Sequence, residues 1–549
     1  MTRRLRRIVA AAGVGILLAL TGCVAIPTAG PVQIAPIDTD PDDLNQVALP
    51  EGPQAGQDMA QTLVGFLRAG RAPHNNYQVA QEFLVPGTEW NGTSRVLISS
   101  TAISPVVVDE DTLSVTVNVA AEVDATGSYL VRGEQQTLLY DFRQVDGEYR
   151  ISQPAQGTLL TPNGFASAFG EYPLYFFDPS FEYLVPDLRW FPETRSRADR
   201  IVKELLAGPA PWLRSGVVIS AIPENTTGGA RYDAPRVDVE LGAGVRAESA
   251  ATQRRMLQQL EASLRALGNV TPDGIVVTSE GLSLAPGAEN PVPDSRYMVL
   301  PVFGGFEGTV GTLTEDGVVP LATIGTRADG LGATQASLDR ERTALAVLGS
   351  GGVSLVPEGG DPLLLDPRPG LVAPTIDPYG YVWSVPADDP GGLQATAADG
   401  VVHPVPLTPG GRVISIELAR DGARLLVALA TPEGPRLFAA GVLRDAGLAP
   451  VALHTPFDLR ATGPIIDVAW VDGTHVAVLT AAESGTPVHV LALGGPVESL
   501  GSVSDGVAIV GGNGTDGLRL LARNGIVLRP GAGNWPATVF VASFLGTQQ

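Results

Sequence analysis

The sequence predicts a multidomain, largely β protein: an α+β cone, a small α/β sandwich and a C-terminal β-propeller, behind an apolar N-terminal leader. Three observations lead there. Turn formers are abundant, with 65 Gly and 45 Pro in 549 residues, beside an apolar content of 44%; short strands joined by tight turns have this composition. A strand–turn–strand unit recurs through residues 296–549. The only cysteine, Cys23, stands directly behind an apolar leader.

The leader reads MTRRLRRIVAAAGVGILLALTGC. Arg3, Arg4, Arg6 and Arg7 are followed by an uncharged run over residues 8–20. That run is too short to cross a hydrocarbon core of about 30 Å, which takes about 20 helical residues. It fits the apolar region of a secretory signal. The end of the run, Leu20-Thr21-Gly22-Cys23, resembles the bacterial lipobox. That resemblance implies removal of residues 1–22 as a signal peptide and lipidation of Cys23. A diacylglycerol brings two acyl chains at ~0.8 kcal/mol per buried methylene, enough for stable anchoring. A lone cysteine forms no internal disulfide, so the exported part must rely on a large core.

Loss of the leader leaves 527 residues and takes the formal charge from −22 to −26. At about 100–200 residues per domain, this length holds three or four domains. The acidity argues against nucleic-acid binding, which needs Lys and Arg against phosphate, and against a polybasic membrane-docking face. Otherwise it speaks for solubility.

Residues 23–54 are rich in Pro and Gly and lack apolar periodicity, so they read as a flexible tether. Their four aspartates, Asp38, Asp40, Asp42 and Asp43, lack calcium-loop spacing. The first folded unit spans 55–158. Met59, Leu63, Phe66 and Leu67 fall on one helical face, with Asp58 as cap and Gly70 as stop. YQVAQEFLVP reads as a second helix ended by Pro86. Leu113, Val115, Val117 and Val119 alternate as in a strand, and Asp146-Gly147 marks a hairpin. Helices followed by a curved antiparallel sheet make an α+β cone. Its one histidine, His74, lies in a Pro-Asn-rich loop and reads as a surface residue.

The second unit spans 159–295. YPLYFFDPSFEYLVPDLRWFP supplies one or two strands. SRADRIVKELLAGPAPWL is a helix carrying Ile201, Val202, Leu205 and Leu206, stopped at Gly208-Pro209. VVISAIP, RVDVEL and GIVVTSEG read as strands. A long helix places Met256, Leu257, Leu260, Leu264 and Leu267 on one face and Arg254, Arg255, Glu261 and Arg265 on its solvated side. Helices covering one face of a sheet make an α/β sandwich.

In 296–549 the repeat places Asp339, Asp377, Asp421 and Asp472 at successive turns, separated by 38, 44 and 51 residues, with Asn513 in a looser fifth copy. A period of about 40–50 residues with short strands is the signature of propeller blades, here five or six. The aspartates read as structural turn residues, and Trp383 and Trp470 as core between blades. His403, His454, His475 and His489 show no metal-ligand spacing. GSGG at 349–352 and GGNGTDG at 511–517 lie between β-like segments, so they are turns and not phosphate loops. No nucleophile elbow or P-loop occurs. The sequence therefore assigns no catalytic, metal-binding or cofactor-binding residue.

The first unit resembles the NTF2-like fold, and the text ADRIVKELLAGP with its element order resembles the GerMN domain of bacterial envelope proteins. With Cys23, FDPSFEYLVPDLRWFP, ADRIVKELLAGPAPWL and the propeller, nearly the whole chain resembles the LpqB lipoproteins of actinobacteria. This resemblance implies a non-enzymatic lipoprotein on the extracytoplasmic face of the cell membrane. It would bind the ectodomain of an MtrB-type sensor kinase and modulate the MtrA/MtrB two-component system in cell-wall homeostasis and division. An envelope ligand sensor, or a hydrolase with a site in the propeller mouth, stays open as the alternative.

Overall fold

The computed structural model describes residues 50–73, 77–271, 273–285, 302–408 and 410–548. The leader, Cys23, most of the expected tether and His74 lie outside the described residues.

Helix α1 (Met59–Ala69) begins with a capping box, in which Gln61 N donates to Asp58 Oδ1 (2.8 Å) and Asp58 N to Gln61 Oε1 (3.0 Å). Its Leu63, Phe66 and Leu67 are buried and Gly70 caps it, as the pattern predicts. The second helix, α2 (Gln78–Gln81), is a single turn. Beyond it the backbone changes partners: Ile151 N donates to Phe83 O and Val85 N to Ile151 O (both 2.9 Å), which draws the chain onto the sheet before Pro86 is reached.

The sheet comprises β1 (Arg95–Ser99), β2 (Pro105–Val107), β3 (Thr112–Asp124), β4 (Tyr129–Val145), β5 (Glu148–Gln153) and β6 (Thr158–Leu160). Their order is β5-β4-β3-β1-β6, with β2 also paired to β3. The inward row of β3, Leu113, Val115, Val117 and Val119, packs under α1 in one core. Asp146 (φ 53°) and Gly147 (φ 85°) turn β4 into β5; a two-residue hairpin with positive φ at both positions matches the twist of its strands.

Helix α3 (Pro162–Ala168) leads into an antiparallel hairpin of β7 (Phe169–Phe177) and β8 (Leu184–Pro192). A separate sheet contains β9 (Gly228–Asp233), β10 (Arg236–Leu241), β11 (Ile275–Ser279) and β12 (Leu282–Ser283), ordered β12-β11-β10-β9 with β10 and β11 parallel. Helices α4 (Arg197–Ala207) and α5 (Ala250–Leu264) touch both this sheet and the hairpin. Ile201, Val202, Leu205, Met256, Leu260 and Leu264 are all buried between them. The VVISAIP segment is not the strand its pattern predicts. Ile219 alone forms a bridge, to Phe177, and Ala221 N donates to Gln259 Oε1 on α5 (2.7 Å). A side chain takes the bond that a strand partner would have taken.

Residues 303–548 form six sheets of four or five strands, antiparallel throughout except for the final pairing of Thr547–Gln548. Sheets I to V follow in sequence over 335–366, 375–404, 412–459, 465–503 and 506–541. Sheet VI joins Phe303–Phe306, Thr309–Thr314 and Gly317–Pro320 to Phe544–Leu545. The leading strands, Gln335–Leu338, Thr375–Ile376, Arg412–Leu418, Ile465–Trp470, Gly506–Val510 and Phe544–Leu545, neighbour one another in a closed ring. Thr547–Gln548 then pairs in parallel with Gln335–Leu338, so the last described strands stitch sheet VI to sheet I.

Candidate functional site

Among the described residues, polar and aromatic groups converge at the joint around the β7–β8 hairpin. Strand β8 is buried on both faces from Val185 to Pro192, because each face meets a different domain. On one side Trp190 packs with Phe165 of α3 and with Tyr129 and Val123 of the N-terminal unit. On the other, Val185 and Leu213 share a continuous core with Leu426, Leu437, Val468 and Trp470 of sheets III and IV. Trp190 N donates to Gly127 O (2.8 Å) and its Nε1 to Gly494 O (2.7 Å), so one residue ties three domains. Trp212 stacks on Phe457 with ring centroids 5.5 Å apart. Gly441 is required there, since a Cβ would stand 2.6 Å from a Val217 methyl and 3.0 Å from Trp212 O.

Buried charges lock the same joint. Arg189 Nη2 binds Asp187 (2.7 Å) and its Nη1 binds Thr126 O (3.0 Å). Arg424, fully buried, binds Asp421 and donates to Gly473 O (2.6 Å). Arg444 binds Asp377 (2.7 Å) and lies over Tyr379, whose hydroxyl donates to Asp178 in the hairpin turn (2.7 Å). Burial raises the Tyr379 hydroxyl pKa, and the Asp178 carboxylate raises it further. Each guanidinium is paired with a carboxylate through its Nη atoms, while the buried Nε of Arg189 and of Arg444 has no partner among the described residues, so losing a carboxylate would strand the cation.

All four aspartates of the repeat accept backbone N–H bonds in the first turn of successive sheets. They do not occupy one equivalent position. Asp339 and Asp377 close the turn with their own N–H, whereas Ala419 and Val471 do so in sheets III and IV, leaving Asp421 two residues later and Asp472 one later. The turn-closing positions themselves, 339, 377, 419 and 471, are just as unevenly spaced, so the uneven period reflects the lengths of the sheets and their loops. Asn513 lies in the corresponding turn of sheet V.

Of the four propeller histidines, His475 alone stands in a charged cluster, bound to Asp472 (3.1 Å) and 3.5 Å from Glu171 of β7. Burial pulls its pKa down, but bonds to Asp472 and Glu171 outweigh burial and carry it up to about 10. An imidazole held charged at neutral pH is a clamp between domains and a poor general base there. Among the described residues no group of His, Cys, Asp and Glu has metal-holding geometry. Trp383 and Trp470 sit in cores between sheets, with Trp470 Nε1 donating to Glu417 O across sheets III and IV (3.0 Å). The Gly349–Gly352 segment turns one strand into the next, and residues 511–517 link two strands of sheet V.

At the ring mouth beside the hairpin, Arg420 reaches from the sheet III turn to Asn513 Oδ1 in the sheet V turn (3.2 Å from both Nη). Burial, then the charge of Arg340, lowers the Arg420 pKa to about 10. Deeper in the ring, Asp467 accepts from Ile509 N (2.9 Å) and from Ser415, spanning three leading strands. Part of this residue reaches solvent, yet its carboxylate is desolvated, which raises its pKa to about 6 against the bonds that favour charge.

Sequence reasoning did not single out Arg189, Arg424, Arg444, Tyr379 or Glu171. The available signals were a cation at the head of an apolar strand, as in ARLLVALA, and the i,i+2 pair Asp187 and Arg189; the other partners are 22 to 304 residues away or set by turns, which periodicity does not report.

A family described as "Lipoprotein LpqB, N-terminal domain" matches residues 52–166, "Sporulation and spore germination" (Germane) matches 173–284, and "Lipoprotein LpqB beta-propeller domain" matches 308–539. Lipoprotein LpqB of Cutibacterium acnes is 26% identical over 93% of this chain and 94% of its own. That of Nocardia farcinica is 31% identical over 38% of this chain and 36% of its own, so this match spans about a third of the relative. These relatives carry no enzymatic name. Solved structures are far more distant: a nidogen/laminin complex (TM-score 0.33, 10% identity, 45% of this chain and 96% of that one) and the Cps50 (Swd1) beta-propeller domain of Myceliophteria thermophila (0.27, 14%, 33% and 63%) carry no argument. Among the described residues no helix is long and apolar enough to cross a membrane. With two LpqB domain families and the Germane family matched in order along one chain, the chain belongs to the LpqB family of lipoproteins.

Proposed function

We propose that this lipoprotein is a non-enzymatic regulator, held by a lipid on Cys23 to the extracytoplasmic face of the cell membrane. It binds the ectodomain of an MtrB-type sensor kinase and biases an MtrA/MtrB-type two-component system in cell-wall homeostasis and division. In this reading residues 1–22 are the signal peptide and 23–54 the tether. An NTF2-like cone (55–158), a GerMN domain (159–295) and a six-bladed propeller (296–549) follow.

One observation carries the reading: the core shared by the Germane domain and the propeller, with β8 buried on both faces, fills the boundary where enzymes often keep a cleft. A welded body presents broad rigid surfaces to a macromolecule. Confinement near the membrane raises its effective concentration at a membrane receptor, so a weak interface suffices. Binding one kinase conformation better than another then shifts the kinase population.

The test is crosslinking in intact membranes, comparing the native chain with Cys23→Ser. Capture of a sensor-kinase ectodomain that collapses without the anchor is the expected result. Capture of cell-wall material, without kinase, favours the second reading: an envelope ligand sensor or hydrolase at the propeller mouth. The cationic surroundings of Arg420 and Arg340 at that mouth suit an anionic ligand.

A further inference from the structure

Strand β2 is the most exposed apolar edge among the described strands of the N-terminal unit. Val106, Val107 and Val108 are 60%, 66% and 55% exposed. Three consecutive exposed β-branched residues need an explanation, because natural sheets guard open edges with Lys, Pro, bulges or a covering element. Here the guards are Pro105 at the start and Asp109, Glu110 and Asp111 at the end, and helix α1 approaches the strand from the core side while leaving all three valines more than half exposed.

The direction of the backbone groups follows from register. Val106 pairs with Ser114 and Val107 with Leu113. Val108 N donates to Thr112 O (3.0 Å), so Val108–Thr112 is a hydrogen-bonded pair. Bonded and non-bonded pairs alternate along an antiparallel ladder. Val106 therefore faces β3, while the N–H and C=O of Val107 and the C=O of Pro105 face away from it. Among the described residues β2 pairs with β3 alone. The outer face beside this edge is also apolar, since the row Val106–Ser114–Leu139 ends on a Leu139 that is largely exposed.

We propose that the open edge of β2 is a strand-addition site for an extended, basic segment of a partner protein. An added strand would bond to Val107 through its backbone and cover Val106 and Val108 with apolar side chains at alternate positions. Its Lys or Arg would meet the exposed Asp109, Glu110 and Asp111, with Asp141 close by through its bond from Thr112 (3.1 Å). The charge selects the occupant: a second copy of this chain, at formal net charge −22, would bring like charge to an acidic edge. This goes beyond the regulator reading, because it fixes a surface and a backbone chemistry whether or not the partner is a kinase.

The test uses the full chain and synthetic peptides of alternating Val and Thr flanked by Lys. The readouts are fluorescence anisotropy and hydrogen exchange across residues 104–112. The Lys peptide should slow exchange in that segment and bind at least about tenfold more tightly than the same peptide flanked by Glu. N-methylation of alternate peptide amides should abolish binding. So should Val107→Pro, which removes the outward N–H without breaking the β3 ladder. Glu110→Lys with Asp111→Lys should reverse the preference toward the Glu peptide, a gain that misfolding could not produce. No protection by millimolar Lys peptide, or equal binding to Val107→Pro, would overturn the proposal. Dimerisation of the free chain that buries 104–112 would overturn it in favour of self-pairing.

Discussion

Trp212→Ala tests whether the Germane domain and the propeller unfold as one body. Trp212 keeps only 8% of its surface exposed and stacks on Phe457 from sheet III. An aromatic side chain of this kind buries roughly 150–250 Å², and about 25 cal/mol per Å² makes that about 4–6 kcal/mol. Alanine retains part of the contact, so the expected loss is about 3–5 kcal/mol, in line with large-to-small aromatic substitutions elsewhere. The assay is urea unfolding by fluorescence, with hydrogen exchange read at β10 and at Arg424–Thr431. If the shared core couples the domains, the native chain gives one transition for both segments and the variant shifts both together. Two transitions in the native chain, with Trp212→Ala moving one of them, would refute the coupling. So would a loss below about 1 kcal/mol, the scale of a typical surface change. Gly441→Ala attacks the same joint by overpacking, where about 1–3 kcal/mol is expected.

Two groups give the stability a pH signature. The folded pKa of His475 lies above its ordinary 6.5, so its clamp is fully present below about 6.5 and is lost as pH rises toward about 10; melting temperatures should fall across that window, and His475→Gln should flatten the slope. Asp467 is raised from 3.8 to about 6, so its contribution is likewise lost as pH rises through about 6; a shift of about two units corresponds to ~3 kcal/mol, and Asp467→Asn should erase that slope in urea titrations between pH 4 and 7. Deleting residues 544–549 removes the leading strand of sheet VI with its buried Phe544 and Leu545; limited proteolysis should then cut first within 303–320, and survival of that segment would refute closure by this strand.

Local chemistry was legible in the sequence. Asp58 and Gly70 bracket α1, Asp146-Gly147 turns β4 into β5, and the β3 alternation gives its buried row, because each depends on neighbours within a few residues. The repeat identified strand–turn–strand units for the same reason. VVISAIP misled because Val217, Val218 and Ala221 are apolar for contact with the domain core, while the N–H groups of Val217 and Val218 close a local turn on Arg214 O and Leu213 O and that of Ala221 goes to the Gln259 side chain. The aspartate repeat was right about turns and wrong about equivalence, since any of several turn positions lets a carboxylate reach an N–H. The joint was legible only as an unusual text, FDPSFEYLVPDLRWFP. What makes it a joint is burial of β8 from two directions, and no period records that.

Sheet VI also imposes an order of events on synthesis. Gly304 pairs with Leu545, with 240 residues between them. A chain emerging from its N-terminal end holds residues 303–320 as three strands with an open edge until the last strand arrives. The entropy lost in closing a loop grows only slowly with its length, but so long a loop delays the contact and exposes an edge meanwhile. Proteases and stray β segments thus have a window of access that ends when Phe544 docks. A fusion placed just beyond residue 548 would bear on ring closure as much as on the finished surface.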